Sequence, residues 1–174
     1  PGRWLVGRRA DPGATMRDTR DRWHLSSMLL AVSGTLLVGV GIYFLFLRPP
    51  LLPEDIRYMS LTPAELQSVG PRLMSWLTYV FRVMGGYVAA TGMLALTLAA
   101  TSFRDHRPVA AVGAGVAGGL SIGLMAAVNF MIQSDFKWVL LGMALVWGTS
   151  IATFVRESAL ASRQSRVRNP DLRQ

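Results

Sequence analysis

Arg82, which stands immediately before a long apolar stretch, is the side chain in this sequence most suggestive of chemistry. Residues Val83 to Phe103 carry no charge over 21 positions, enough to cross a bilayer core of about 30 Å. An ionisable group at membrane depth is costly, so Arg82 is a candidate functional residue. Alternatively, its guanidinium reaches up to the lipid headgroups. On a helix Arg82 shares a face with Gly86 and Ala89, and both interpretations stay open.

Asn129 is the strongly polar side chain of the third apolar stretch. Counted along each helix from its inner end, Arg82 and Asn129 both stand about 33 Å up. An amide oxygen can accept from a guanidinium without burying a second charge. We therefore predict that Arg82 points inward and hydrogen-bonds to Asn129, Gln133 or Asp135. The predicted ligand-binding residues at this outer end are Tyr43, Tyr79, Arg82, Asn129, Gln133 and Asp135.

The remaining candidates for chemistry have simpler explanations. His24 and His106 flank apolar stretches, whereas a haem ligand in a helical protein usually lies within one. We predict that both are interfacial anchors. The acids at 54, 55 and 65 fall in first turns of helices, where they cap the backbone. With no cysteine and no HExxH or GxSxG motif, the sequence predicts no catalytic residue, no metal site and no cofactor.

The elements that carry these residues are four long apolar stretches. Only 16% of the 174 residues are charged and 51% are hydrophobic, whereas a soluble domain is usually about a quarter charged. This pattern predicts an all-α integral membrane protein with four transmembrane helices in an antiparallel bundle. The expected spans are residues 25–47, 73–103, 109–132 and 138–155, between basic tails at 1–24 and 156–174.

The first loop, between the first two spans, is predicted to hold two short helices. Pro53 followed by two acids is typical of a helix start. Thr62 and Glu65 have the spacing of a capping box, which starts a helix at Pro63. The apolar residues expected to face inward are Leu51, Leu52, Ile56, Leu61 and Leu66.

Small residues mark the predicted packing faces. Glycines recur every fourth residue in the third span, a spacing that lets helices approach closely in lipid. We expect these faces to contact other helices. The predicted packing residues are Gly85, Gly86, Ala89, Gly115, Gly119 and Gly123.

The basic residues predict the orientation. The two tails and the hinge at 104–107 hold 13 of the 18 basic residues, so both termini should be cytoplasmic. Seventeen of the 18 are arginine, which is typical of a GC-rich bacterium and suggests the inner membrane. Because these arginines flank spans, nucleic acid is not expected as a partner, while membrane lipids are.

The string Arg82-Val83-Met84-Gly85-Gly86-Tyr87, followed by a small-residue span, resembles DoxX-like membrane proteins of bacteria. Leu51 to Tyr58 also resembles the loop of short uncharacterised proteins. In layout the resemblance covers about two-thirds of the chain. It implies a four-helix bundle without an established activity. The absence of cysteine weighs against the thiol chemistry of redox-linked relatives.

Together these patterns predict a non-catalytic membrane protein, a small accessory subunit of a larger membrane assembly. The alternative is a binder or carrier of a lipid or quinone-like molecule under the first loop. A groove between spans that fits a partner helix favours the subunit. An enclosed pocket lined by Tyr43, Tyr79 and Arg82 favours the binder.

Overall fold

The computed structural model of the protein describes residues 23–68 and 70–168, and all regular secondary structure in this part of the chain is helical. Four helices are long and apolar enough to cross a membrane, so the predicted all-α class and the number of membrane-length helices are confirmed. They cover Leu25–Leu47, Pro71–Ala100, Pro108–Met131 and Lys137–Gln164.

In chain order the α-helices are α1 (Leu25–Ile42), α2 (Pro53–Met59), α3 (Pro63–Ser68), α4 (Pro71–Ala100), α5 (Pro108–Gly118), α6 (Leu124–Met131) and α7 (Lys137–Arg168). Two π-helical turns complete them. Tyr43–Leu47 extends α1, and Gly119–Gly123 joins α5 to α6 into one third span. The last helix, α7, continues past Val155, where the fourth span was expected to end.

Helix boundaries follow from local chemistry. The helices α2, α3, α4 and α5 begin at proline, which lacks the N–H that a first turn leaves unpaired and has a helical φ. Ser60, His106 and Gln133 have left-handed backbones, with φ of 56°, 52° and 54°. Ser60 and Gln133 stand just after the last turn of a helix, where the reversed backbone satisfies free carbonyls, and His106 ends the turns of the hinge that follows α4. A side chain there costs about 1 kcal/mol compared with glycine.

The helix α1 is central, since it packs along both α4 and α7. The contact with α4 is close because glycines face one another. A Cβ on Gly41 would lie 2.5 Å from the nitrogen of Ala89, and one on Gly92 would lie 2.6 Å from the oxygen of Gly34. Gly85 meets the same interface. Gly85 and Ala89, two of the predicted packing residues, lie at this interface, and α1 is the neighbouring helix.

A contact between Arg82 and Asn129 would require the second span to pack on the third, and it does not. The helices α4 and α5 share few contacts, and the third span packs on α7 instead. The glycine-rich surface of α4 is occupied by α1, which removes the face that was to meet Asn129. The spans therefore follow one another in space as second, first, fourth and third.

Gly118 makes the closest glycine contact in the third span. A Cβ on Gly118 would collide with the indole of Trp147 from α7. By contrast, a Cβ on Gly115, Gly119 or Gly86 would have no neighbour within 4 Å, and one on Gly123 would meet only the Gly118 oxygen at 3.3 Å. Within the described chain Gly86, Gly115 and Gly119 therefore make no close contact with a neighbouring helix, and the expectation that these glycines face another helix stays a prediction.

Candidate functional site

At one end of the molecule, the first loop is held by Arg48. Its side chain is only 7% exposed and its Nη2 lies 3.0 Å from the Asp55 carboxylate. The guanidinium also stacks on the ring of Phe81, 3.4 Å from the ring centroid. The same Asp55 oxygen accepts the Leu52 N–H over 2.9 Å, which caps α2. Arg48 is thus a buried cation that sequence reasoning did not identify as a site residue.

The loop is also joined to the turn between the third and fourth spans. Arg57 donates to the Gln133 carbonyl oxygen and to Asp135, both over 3.1 Å. The carboxylate of Glu54, which is 3% exposed, accepts from the Ser134 hydroxyl over 3.3 Å. These contacts place the loop and the turn at the same end, as predicted.

The capping box that starts α3 is confirmed. The N–H of Thr62 donates to Glu65 over 2.8 Å, and the N–H of Glu65 donates to the Thr62 hydroxyl over 3.3 Å. The bond from the Thr62 hydroxyl, followed by the one from its N–H, holds the pKa of Glu65 below its ordinary value. The five apolar loop residues expected to face inward are each partly buried.

The predicted hydrogen bonds of Arg82 are wrong. Arg82 is exposed, because the face of α4 that packs is the one turned to α1. Asn129 donates to the Met125 carbonyl oxygen of its own helix over 2.9 Å. Gln133 accepts from Lys137 over 2.6 Å, and Asp135 pairs with Arg57.

The two tyrosines of the predicted ligand site have different surroundings. Tyr43 is partly buried against Phe136, with ring centroids 6.4 Å apart. Tyr79 is 62% exposed and lines an open depression of about 400 Å³. That depression includes neither Tyr43 nor Arg82; its lining is Pro71, Arg72, Ser75, Trp76 and Tyr79.

At the opposite end, aromatic packing brings the hinge after α4 onto α7. Phe103 is fully buried, with its ring centroid 4.5 Å from that of Phe154. The imidazole of His106 meets the same Phe154 ring edge-on at 5.1 Å. Glu157 follows Phe154 by three residues and so shares its face of α7. The hinge therefore places His106 beside Glu157.

Three potential ligand side chains converge there: His24, which immediately precedes α1, His106 and Glu157. Their donor atoms all lie within 4.8 Å of one another. The two imidazole centroids are 4.4 Å apart, and His106 Nε2 lies 3.9 Å from Glu157 Oε2. Ser26 donates its hydroxyl to Glu157 Oε2 over 2.6 Å, which fixes the carboxylate.

Burial of the His106 ring lowers its pKa, and the nearby His24 lowers it further, while Glu157 acts in the opposite direction. The neutral imidazole is therefore favoured. The sequence placed both histidines at the ends of spans, but it did not bring them together or include Glu157. One sequence signal could have indicated the cluster: all three positions fall next to an apolar stretch, on the side of the basic tails.

A groove of about 370 Å³ runs between the third span and α7. Its floor is Trp147, which is 4% exposed, and no charged residue lines it. The lining consists of Gly115, Gly118, Gly119, Ile122, Gly123, Ala144, Trp147, Gly148 and Ile151. Among the glycines of this surface, Gly115, Gly119 and Gly148 make no close contact within the described chain, whereas Gly118 packs against Trp147.

No family model, curated protein or solved structure matches the chain. The resemblance to DoxX-like proteins therefore stays a prediction.

Proposed function

We propose that this is a non-catalytic integral membrane protein that serves as an accessory subunit, and that its glycine-lined groove receives one transmembrane helix of another subunit. Support comes first from the four apolar helices of membrane length. Val109 and Leu120 are examples of their exposed apolar side chains, with 83% and 71% exposure. A bilayer is a solvent of matching polarity for such side chains.

The observation that carries the proposal is the groove. Gly115 and Gly119 on one wall and Gly148 on the other would have no atom within 4 Å of an added Cβ. In lipid, such small-residue faces let another backbone approach and gain dispersion contacts. An apolar helix suits this lining better than a polar ligand, since no charged side chain faces the groove.

The lipid or quinone-like binder remains the alternative from the sequence. None of its other proposed residues lines the open depression beside Tyr79. The geometry therefore favours the subunit function.

The test compares two substitutions of open glycines. Gly119→Leu fills the groove, whereas Gly39→Leu adds the same side chain to α1, where a Cβ also has no neighbour within 4 Å. Both variants should keep the thermal stability of the isolated chain. Only Gly119→Leu should reduce the mass of the assembly extracted from native membranes in mild detergent.

Equal masses for the wild type and both variants would contradict the proposal. An assembly made only of copies of this chain would also contradict an accessory role, and would make the groove a surface for self-association.

The proposed orientation puts the tails and the hinge in the cytoplasm of a bacterial cell. It is supported by the 13 of 18 basic residues that belong to those segments. Because the chain has no cysteine, the labelling of a single introduced cysteine reports on which side of the membrane that residue lies. In intact cells, Ser60→Cys should react with a membrane-impermeant maleimide and Asp105→Cys should not. The reverse labelling would refute this orientation.

A further inference from the structure

We propose that His24, His106 and Glu157 form a binding site for a divalent transition-metal ion of the zinc class. Two imidazoles and one carboxylate are the donor set of open three-ligand zinc sites, which leave a fourth position for water or another ligand. Imidazole nitrogen also favours zinc, copper, iron and nickel over magnesium or calcium.

The three donors come from separate parts of the chain. His24 precedes α1, His106 lies in the hinge between the second and third spans, and Glu157 lies on α7. Their donor atoms nevertheless fall within 4.8 Å of one another. Donors of a tetrahedral zinc ion at its usual bond lengths lie about 3.4 Å apart.

Little movement is needed to reach that geometry. His106 Nε2 and Glu157 Oε2 already stand 3.9 Å apart. The exposed side chain of His24 is the one that must move further, and it is free to rotate towards the other two. His106 and Glu157, the more constrained donors, are thus nearly in place, and His24, the least constrained donor, completes the site.

The three side chains do not satisfy one another within the described structure. The 3.9 Å between His106 and Glu157 is too long for a hydrogen bond. A metal ion would give the carboxylate and the imidazoles a common partner. Its attraction for these donors would outweigh the repulsion between the two imidazoles, which arises when they are protonated.

The surroundings supply outer support for the ligands. The Ser26 hydroxyl holds Glu157 over 2.6 Å, the kind of bond that orients a ligating carboxylate. Phe154 packs against the His106 ring and limits its rotation. The hinge backbone also places His106 in a left-handed conformation with φ of 52°, so the ring is presented from a sharp turn.

Metal at this site would tie together the start of α1, the hinge and the inner part of α7. Binding to the folded state alone raises stability by mass action. Metal binding is therefore expected to hold the helices together at one end. This effect does not depend on the groove or on the proposed subunit function.

The experiment is a titration of the tag-free full-length chain in detergent with zinc chloride, after treatment with a chelator. With no cysteine and only two histidines in the chain, background zinc binding should be low. One zinc ion per chain and a raised melting temperature are expected. Cobalt in place of zinc should give the intense visible absorption of a tetrahedral site.

His24→Gln and Glu157→Gln should each weaken zinc binding at least tenfold, while Asp105→Asn in the same hinge should leave it unchanged. His24→Gln is the deciding variant if substitution of Glu157 prevents folding, because His24 is exposed. No stoichiometric zinc binding by the wild type, or equal affinity in wild type and His24→Gln, would overturn the proposal.

Discussion

The indole nitrogen of Trp147 donates to the carbonyl oxygen of Ala114 over 2.9 Å, across the interface between α7 and α5. The indole can reach this oxygen because Gly118, one turn further along, has no side chain in its way. The π-helical turn that follows, Gly119–Gly123, lies directly beside the same contact. This interaction sets the distance between the third and fourth spans and makes Trp147 the floor of the groove.

Gly118→Ala should therefore destabilise the protein. The added methyl group would overlap the Trp147 indole, and overpacking of this kind costs about 1–3 kcal/mol. Gly113→Ala is the matched control on the same helix, since a Cβ there has no neighbour within 4 Å. Thermal unfolding in detergent, followed by circular dichroism, should show a lower melting temperature for Gly118→Ala alone. Equal melting temperatures would mean that the indole does not depend on this glycine.

Some features could be predicted because they depend on a few neighbouring residues. Thr62 and Glu65 form their capping box within four positions, and Pro53 and Pro71 start helices by their own φ. The number of membrane-length helices likewise follows from runs of apolar residues. Local chemistry decides each of these regardless of what packs nearby.

Features that depend on the rotation and neighbours of a helix could not be predicted. Counting residues gave Arg82 and Asn129 the same depth, but depth does not say which helices are adjacent, and α4 packs on α1. The regular glycine spacing in the third span pointed to Gly119, whereas Gly118 meets Trp147. The histidine and glutamate cluster required three distant segments to meet, which only the fold reveals.

The contrast between two arginines is a second prediction. Arg48→Met should lower the free energy of unfolding by about 3 kcal/mol, because it leaves the Asp55 carboxylate without its cation. Arg82→Met should change stability little, since Arg82 is exposed. Unfolding titrations in mixed micelles measure both. Should Arg82→Met be the more damaging change, the assignment of Arg48 as the structural cation would fail.

The lowered pKa of His106 predicts a pH dependence in the metal-free protein. In the unfolded chain this histidine titrates near its usual value of about 6.5, and in the folded protein it titrates lower. The unfolded state therefore binds more protons between the two pKa values. Stability should be constant above pH 6.5 and should fall as the pH drops below it.

The measurement compares melting temperatures of the wild type and His106→Gln between pH 7.5 and 5, with a chelator present. The wild type should lose more stability than the variant over this range. Parallel curves would show that His106 does not titrate differently on folding.

The most direct test of the central claim is a cross-linking measurement in native membranes. Because the chain has no cysteine, a photoreactive maleimide can be attached only at an introduced one, at Gly148 in the groove or at Gly39 outside it. The proposed subunit function predicts that illumination joins the Gly148→Cys chain to one membrane protein of defined mass, that Gly119→Leu on the opposite wall abolishes this product, and that Gly39→Cys gives none. If the probe at Gly148 reacts only with lipid, or if Gly119→Leu leaves the product unchanged, the groove does not hold a partner helix.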